Sequence, residues 1–304
     1  MIKYSIIIPV FNEEAVLWKL HEELLKNFEK LDGDCEFILV NDGSWDRTAI
    51  ILDEFSSRDS RFKAIHFSRN FGHQPALAAG FDHASGEAII TMDADLQDPP
   101  EVVFEFIEKW KKGYDVVYGI RTKRKEWFGK RLAYWSFYRL LRWMSSFDVP
   151  FDAGDFSLMD KRVVEAVRSF PEKTLFIRGF RSWVGFKQCG VMYARRGRFA
   201  GTTKYSLRKL FKLASDGIFS FSFMPIKLIR LVGVVVIGLS IIGGIFLFYL
   251  VELGNVYKNW LLPSIFFVGG INLMALAILG EYISRIYEEV RGRPIYIIRN
   301  KTGF

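Results

Sequence analysis

Apolar residues along this chain follow two rhythms. Short apolar runs, YSIIIPV (4–10), EFILVND (36–42), FKAIHF (62–67), EAIITMD (87–93) and YDVVYG (114–119), predict strands buried on both faces. Between them, residues 12–31, 44–58, 74–84 and 98–113 place apolar side chains at helical spacing. Ser44 and Asp98 stand at N-cap positions, Pro99 suits a first helical turn, and Glu101 completes a capping-box spacing. This strand–helix alternation predicts an α/β domain, Rossmann-like, with a mostly parallel sheet and helices on both faces.

The pattern changes near residue 225. Residues 231–251 and 260–280 carry no charge at all. At ~1.5 Å per residue each spans roughly 30 Å, a bilayer core. The short link between them makes a two-helix transmembrane hairpin. Lys204, Arg208, Lys209, Lys212, Lys227 and Arg230 precede it, and Arg285, Arg291, Arg293, Arg299 and Lys301 follow it, against Lys258 alone in the link. The positive-inside rule places both flanks in the cytoplasm. Residues 205–224 have apolar positions at helical spacing with Arg208, Lys209 and Lys212 among them, and predict an interfacial helix. The expected organisation is a cytoplasmic catalytic domain (1–203), a juxtamembrane amphipathic helix (204–227), two spans (228–283) and a cytoplasmic basic tail (284–304).

Composition narrows the function classes. Half of the 304 residues are hydrophobic and 16% are aromatic, which excludes a disordered chain. The net charge of +8 points to anionic partners: nucleic acid, phosphorylated substrates or an anionic membrane. Cys35 and Cys189 have no metal-like spacing and read as reduced thiols. The opening apolar run is too short for a leader and breaks at Pro9, which keeps the N-terminal part in the cytosol.

Ligands of parallel α/β sheets bind past the carboxyl ends of the strands. The polar groups there are Asn12, Glu13 and Glu14; Asn41 and Asp42; Arg69 and Asn70; and Asp93, Asp95 and Gln97. Neither G-x-G-x-x-G nor a P-loop follows the first strand, which disfavours a dinucleotide oxidoreductase and a P-loop ATPase. If residues 93–97 stay extended, Asp93, Asp95 and Gln97 share one face. Two adjacent carboxylates repel unless a cation intervenes, and all-oxygen ligands fit Mg²⁺ or Mn²⁺. The stretch therefore reads as a metal–diphosphate clamp.

Three motifs together, PVFNEE, VNDGSWDRT and TMDADLQDPP, resemble family 2 glycosyltransferases of the GT-A fold. Residues 68–101, GDFSLMDKRVVEA (154–166), FIRGFRSWVGF (176–186) and the apolar hairpin resemble polyisoprenyl-phosphate glycosyltransferases, the bactoprenol glucosyltransferases and dolichol-phosphate mannose synthases. The resemblance implies inverting transfer of a hexose from a nucleotide sugar to undecaprenyl phosphate at the bacterial inner membrane. UDP-glucose is favoured as donor, with UDP-N-acetylhexosamine and GDP-mannose open. It puts Pro9, Phe11, Asn12, Glu13, Glu14, Asp42, Asp93 and Ala94 on the nucleotide sugar. Phe11 replaces a frequent Tyr. Asp93, Asp95 and Gln97 match the metal positions, Asp95 and Asp155 the catalytic ones, with Asp155 as general base or as an orienting group. Arg178, Arg198 and Lys204 match acceptor- or phosphate-facing cations.

Residues 121–142 hold eight Lys or Arg against Glu126, interleaved with aromatic rings. Beside two spans this fits anionic headgroups better than nucleic acid, and Arg121 and Arg131 are candidates for phosphate contact. The four histidines show no ligand spacing, and His73 reads as solvated or packed. Rival readings are a nucleotidyltransferase, a processive polysaccharide synthase and a non-catalytic scaffold for a glycolipid flippase. The intact Asp93–Asp95–Gln97 set argues against a scaffold. Self-association is compatible with the glycine pairs Gly243-Gly244 and Gly269-Gly270 in the spans.

Overall fold

The computed structural model describes residues 2–122, 153–173, 175–197, 224–252 and 261–304. Eight strands form one sheet in the order β7-β5-β6-β4-β1-β2-β3-β8. They are β1 Tyr4–Val10, β2 Cys35–Asn41, β3 Phe62–Phe67, β4 Ala88–Thr91, β5 Val116–Thr122, β6 Ala153–Asp160, β7 Gln188–Ala194 and β8 Ile298–Thr302. Strands β1 to β4 are mutually parallel, β7 runs parallel to β5, and β6 and β8 run antiparallel to their neighbours.

Period-two alternation splits the core. Ile6, Ile8, Phe37 and Leu39 face α1 (Glu14–Phe28), α2 (Thr48–Arg58) and α4 (Val102–Lys111). Ile7, Ile38 and Val40 face α3 (His73–His83), α5 (Lys161–Arg168) and α6 (Ile177–Trp183). Burial on both faces is why these strands read as unbroken apolar runs. Helix α3 approaches β1 closely at Gly80, where a Cβ would lie 2.2 Å from Ile7 Cγ2.

Both expected caps are displaced. Ser44 Oγ accepts the Asn12 N–H at 2.9 Å, and α2 begins at Thr48, whose N–H goes to Asp46 Oδ1. Helix α4 begins at Val102; Asp98 turns inward to Tyr193 and Glu101 pairs with Arg196 at 2.6 Å. In each case a polar side chain near the start of the helix holds a neighbouring segment instead of the helix end.

Helices α7 (Met224–Glu252) and α8 (Leu261–Val290) are long and apolar enough to cross a membrane. None of Ile226–Gly243 or Ser264–Val290 is buried inside the protein. The region expected as a basic tail is instead part of the fold. Strand β8 pairs with β3 from Ala64↔Thr302 to Phe67↔Ile298. Glu289 accepts the Lys173 N–H at 2.7 Å, Tyr296 stacks on Phe67 at 5.1 Å, and its hydroxyl donates to Asp82.

Candidate active site

The loops after β1 and β2 lock into each other. Asn12, in the left-handed region at φ 52°, takes the Trp45 N–H on its Oδ1 at 3.0 Å. Glu14 Oε2 accepts the Arg47 N–H at 3.0 Å, and the Glu13 N–H donates to Thr48 Oγ1. Phe11 meets the exposed Trp45 ring edge-on at 5.0 Å. Pro9 is half-buried within β1, in register with Val40. The Asp42 carboxylate is buried and takes N–H groups from Phe71 and Gly72 and the amide of Asn70. Burial raises its pKa and the two backbone N–H groups oppose that rise. Gly43 makes this approach possible: its φ is +66°, and a Cβ there would lie 2.3 Å from the Arg69 carbonyl carbon.

Past β4 the chain does not stay extended. It turns at Ala94 and Asp95, and Leu96 takes φ 57°. The reversal buries Ala94 and Asp95 and leaves Asp93 and Gln97 half-exposed. Asp95 Oδ1 accepts the Gln97 N–H at 3.1 Å, as in an Asx turn. Gln97 is tied to the segment after β7: its carbonyl accepts the Arg196 N–H at 3.0 Å, and its Nε2 donates to the Arg196 carbonyl at 3.4 Å.

Two cation clusters flank this lip. On one side Tyr193 donates to the buried Asp98 at 2.5 Å, and Arg121 Nε donates to Tyr193 at 3.2 Å. Arg195 lies between Asp98 (3.8 Å) and Asp93 (3.9 Å). Burial and the charge of Asp93 push the Asp98 carboxyl up to about 6, against the pull of Tyr193, Arg121 and Arg195. On the other side Arg178 grips Asp155 at two points, both 2.8 Å. His73 Nε2 is 3.2 Å from Asp155 and 3.9 Å from Asp93. Burial alone would raise the Asp155 pKa, but Arg178 and His73 hold the carboxyl well below the usual carboxylate range. Behind it the fully buried Arg181 guanidinium donates to the Gly154 carbonyl, and burial lowers its pKa to about 10.

The structure thus brings Asp93, Asp95, Gln97, Arg121, Asp155 and Arg178 to one region of the sheet's rim. Arg131, Arg198 and Lys204 lie outside the described residues, as do most of the basic segment 121–142 and the juxtamembrane segment. His73, Gln74, Tyr193 and Arg195 escape the strand-end reading. His73 sits beyond Gly72 at the start of a helix. Arg195 follows β7, a strand whose sequence is interrupted by Gly190.

The model of glycosyl transferase family 2 matches residues 5–168. The chain belongs to this family. Several relatives match over nearly their whole length. An uncharacterized glycosyltransferase of Bacillus subtilis (strain 168), YkcC, is 47% identical over 99% of this chain and 95% of its own. A prophage bactoprenol glucosyl transferase homolog of Escherichia coli (strain K12) is 41% identical over 98% of both chains. The bactoprenol glucosyl transferase of Shigella phage SfV is 40% identical over 98% of this chain and 99% of its own. Among solved structures, glucosyl-3-phosphoglycerate synthase from Mycobacterium tuberculosis, in complex with Mn²⁺, UDP-glucose and phosphoglyceric acid, superposes with a TM-score of 0.50. It is 19% identical, over 71% of this chain and 77% of that one. The fold is GT-A.

The donor atoms at the lip of this family 2 transferase fit a hard divalent cation. Asp93 is half-exposed, accepts no hydrogen bond among the described residues, and has its cationic neighbours only at 3.9 Å. Asp95 offers a second carboxylate, and Gln97 keeps its Oε1. Among the described residues no three His, Cys, Asp or Glu side chains cluster as a self-sufficient metal site. A cation held here would draw the rest of its shell from water and substrate phosphate, which suits Mg²⁺ or Mn²⁺.

Proposed function

We propose that this family 2 transferase moves a hexose, with UDP-glucose the favoured donor, onto undecaprenyl phosphate at the cytoplasmic face of the membrane. One observation carries the reading. Similarity to bactoprenol glucosyl transferases covers 98% of the chain, taking in both the acidic lip and the two apolar helices.

The reaction is one displacement. An acceptor-phosphate oxygen bonds to the anomeric carbon, the bond from that carbon to the nucleotide's terminal phosphate oxygen breaks, and the nucleoside diphosphate leaves with the electron pair. Configuration inverts. A divalent cation held by Asp93 and Asp95, when bound, supplies charge to the leaving diphosphate. Arg195 and Arg121, steadied by Asp98 and Tyr193, add positive charge beside Asp93. Arg178 presents its charge to the acceptor phosphate from across the rim. No proton needs to be removed, because the second pKa of a phosphate monoester is about 6. The low pKa of Asp155 makes it a poor base and suits it to orienting Arg178.

Detergent-purified protein given UDP-glucose, Mn²⁺ and undecaprenyl phosphate should yield a lipid heavier by one hexose in a mass spectrum. Parallel reactions with UDP-N-acetylhexosamine and GDP-mannose identify the donor. No lipid product from any of the three refutes the assignment.

A further inference from the structure

Two side chains at the start of α3 have no part in the displacement as described. His73 Nε2 stands between Asp155 Oδ2 at 3.2 Å and Asp93 Oδ1 at 3.9 Å. Gln74 reaches two elements at once. Its Nε2 donates to Asp155 Oδ2 at 3.5 Å, and its Oε1 accepts the N–H of Ile177 at 2.9 Å. Ile177 opens α6, and the next residue is Arg178, which closes the two-point pair on the same carboxylate. The base of α3 therefore touches β6, α6 and the rim beyond β4 within two residues. Helix α3 is itself fixed in place, because Gly80 seats it against Ile7 of β1.

We propose that His73 and Gln74 are positioning residues that brace the Asp155–Arg178 pair at a set distance from Asp93, so that the acceptor-phosphate cation and the donor-diphosphate carboxylate form one rigid unit. The proposal rests on the functional reading above in taking Arg178 as the acceptor-phosphate cation. It asks only for an N–H at His73 Nε2, which the charged ring and the neutral Nε2–H tautomer both provide. An arginine side chain is long and rotamer-rich, so it points one way only when its fork is held. Asp155 is 9% exposed at its side chain, and with both carboxylate oxygens held it leaves Arg178 one orientation. Gln74 fixes the backbone from which Arg178 projects. Displacement needs nucleophile, carbon and leaving group in line, and an ångström of misplacement costs about 100-fold in rate.

The test uses the full chain in detergent and three readouts: transfer from UDP-glucose to undecaprenyl phosphate, calorimetric affinity for farnesyl phosphate, and calorimetric affinity for UDP with Mn²⁺. His73→Leu and Gln74→Leu should each raise the KM for undecaprenyl phosphate and weaken farnesyl phosphate binding by about 10-fold, with kcat lower by a similar factor. UDP–Mn²⁺ affinity should shift less than about twofold. His73→Gln restores an amide N–H near the same place and should recover most of the acceptor affinity. His73→Asn, polar but too short to reach Asp155, should not; it also serves if the leucine variant fails to fold. Acceptor affinity unchanged in both His73→Leu and His73→Asn would overturn the brace. So would an equal loss of UDP–Mn²⁺ and farnesyl phosphate binding. Farnesyl phosphate binding reads the brace without turnover, so a wild-type protein inactive with UDP-glucose would count against the functional reading and leave this comparison intact.

Discussion

Aspartates around the rim divide by their surroundings. Asp42 is saturated by the 70–72 loop and holds the fold together. Asp155 is gripped by a guanidinium, and Asp98 is buried beneath Arg121 and Arg195. Asp93 alone of these four takes no hydrogen bond among the described residues. Asp95→Asn keeps the oxygen that accepts the Gln97 N–H and removes the charge. We expect turnover with Mn²⁺ to fall about 100-fold or more while the melting temperature holds, checked by rate assay and calorimetry. The acidic pair was legible because two carboxylates closing an apolar run are hard to explain as decoration. His73 was not, because a lone histidine in a loop carries no spacing signal. Away from the site, Glu36 is buried in the sheet. Burial opposes its ionisation, but Lys63 at 2.7 Å, Ser5 and Ser85 hold its carboxyl below the usual range. With the folded pKa depressed, its contribution is fully present above the unfolded pKa and is lost as pH falls through the folded value. Thermal melts from about pH 6 to about pH 3 should therefore decline less steeply for Glu36→Gln than for wild type.

At the scale of elements, the strands from β1 to β5 were readable because burial on both faces writes itself as unbroken apolar runs. Helix starts were not. Ser44 and Asp98 have cap chemistry, but tertiary partners, Asn12 and Tyr193, take them instead. The extended reading of residues 93–97 failed for a local reason: Leu96 in the left-handed region and the Asx turn at Asp95 reverse the chain. Strands β6, β7 and β8 carry glycine or charge at positions that break the apolar run, so only pairing with neighbours reveals them. Helix α3 sets the rim geometry through its contact with β1. Gly80→Val places methyl groups where Ile7 already sits, and overpacking of this kind costs about 1–3 kcal/mol. Denaturant titration should show that loss, and transfer activity should fall further than the unfolded fraction explains, since α3 carries His73.

At the scale of the whole molecule, the catalytic domain is joined to the apolar helices at both ends of the hairpin. The second helix does not trail off; it returns through Glu289, Tyr296 and β8 to the sheet. Cutting the chain at residue 226 would therefore remove a strand along with the helices, and a span-specific test needs a point substitution. Val235→Arg puts a charge in the middle of α7, where insertion costs about 3 kcal/mol. The variant should shift from the membrane pellet to the supernatant or be degraded. Retention in the membrane at the wild-type level after a carbonate wash would argue that α7 does not span it.

Strand β8 also dictates an order of events during synthesis. It is synthesised after both apolar helices, so β3 waits as a bare hydrogen-bonding edge while those helices and the other strands are made. Such an edge is a template for illicit pairing between nascent chains. Chains stalled or truncated before residue 298 should accumulate as protease-sensitive aggregates, and a pulse-chase that finds them monomeric and resistant would show that the sheet does not depend on its final strand.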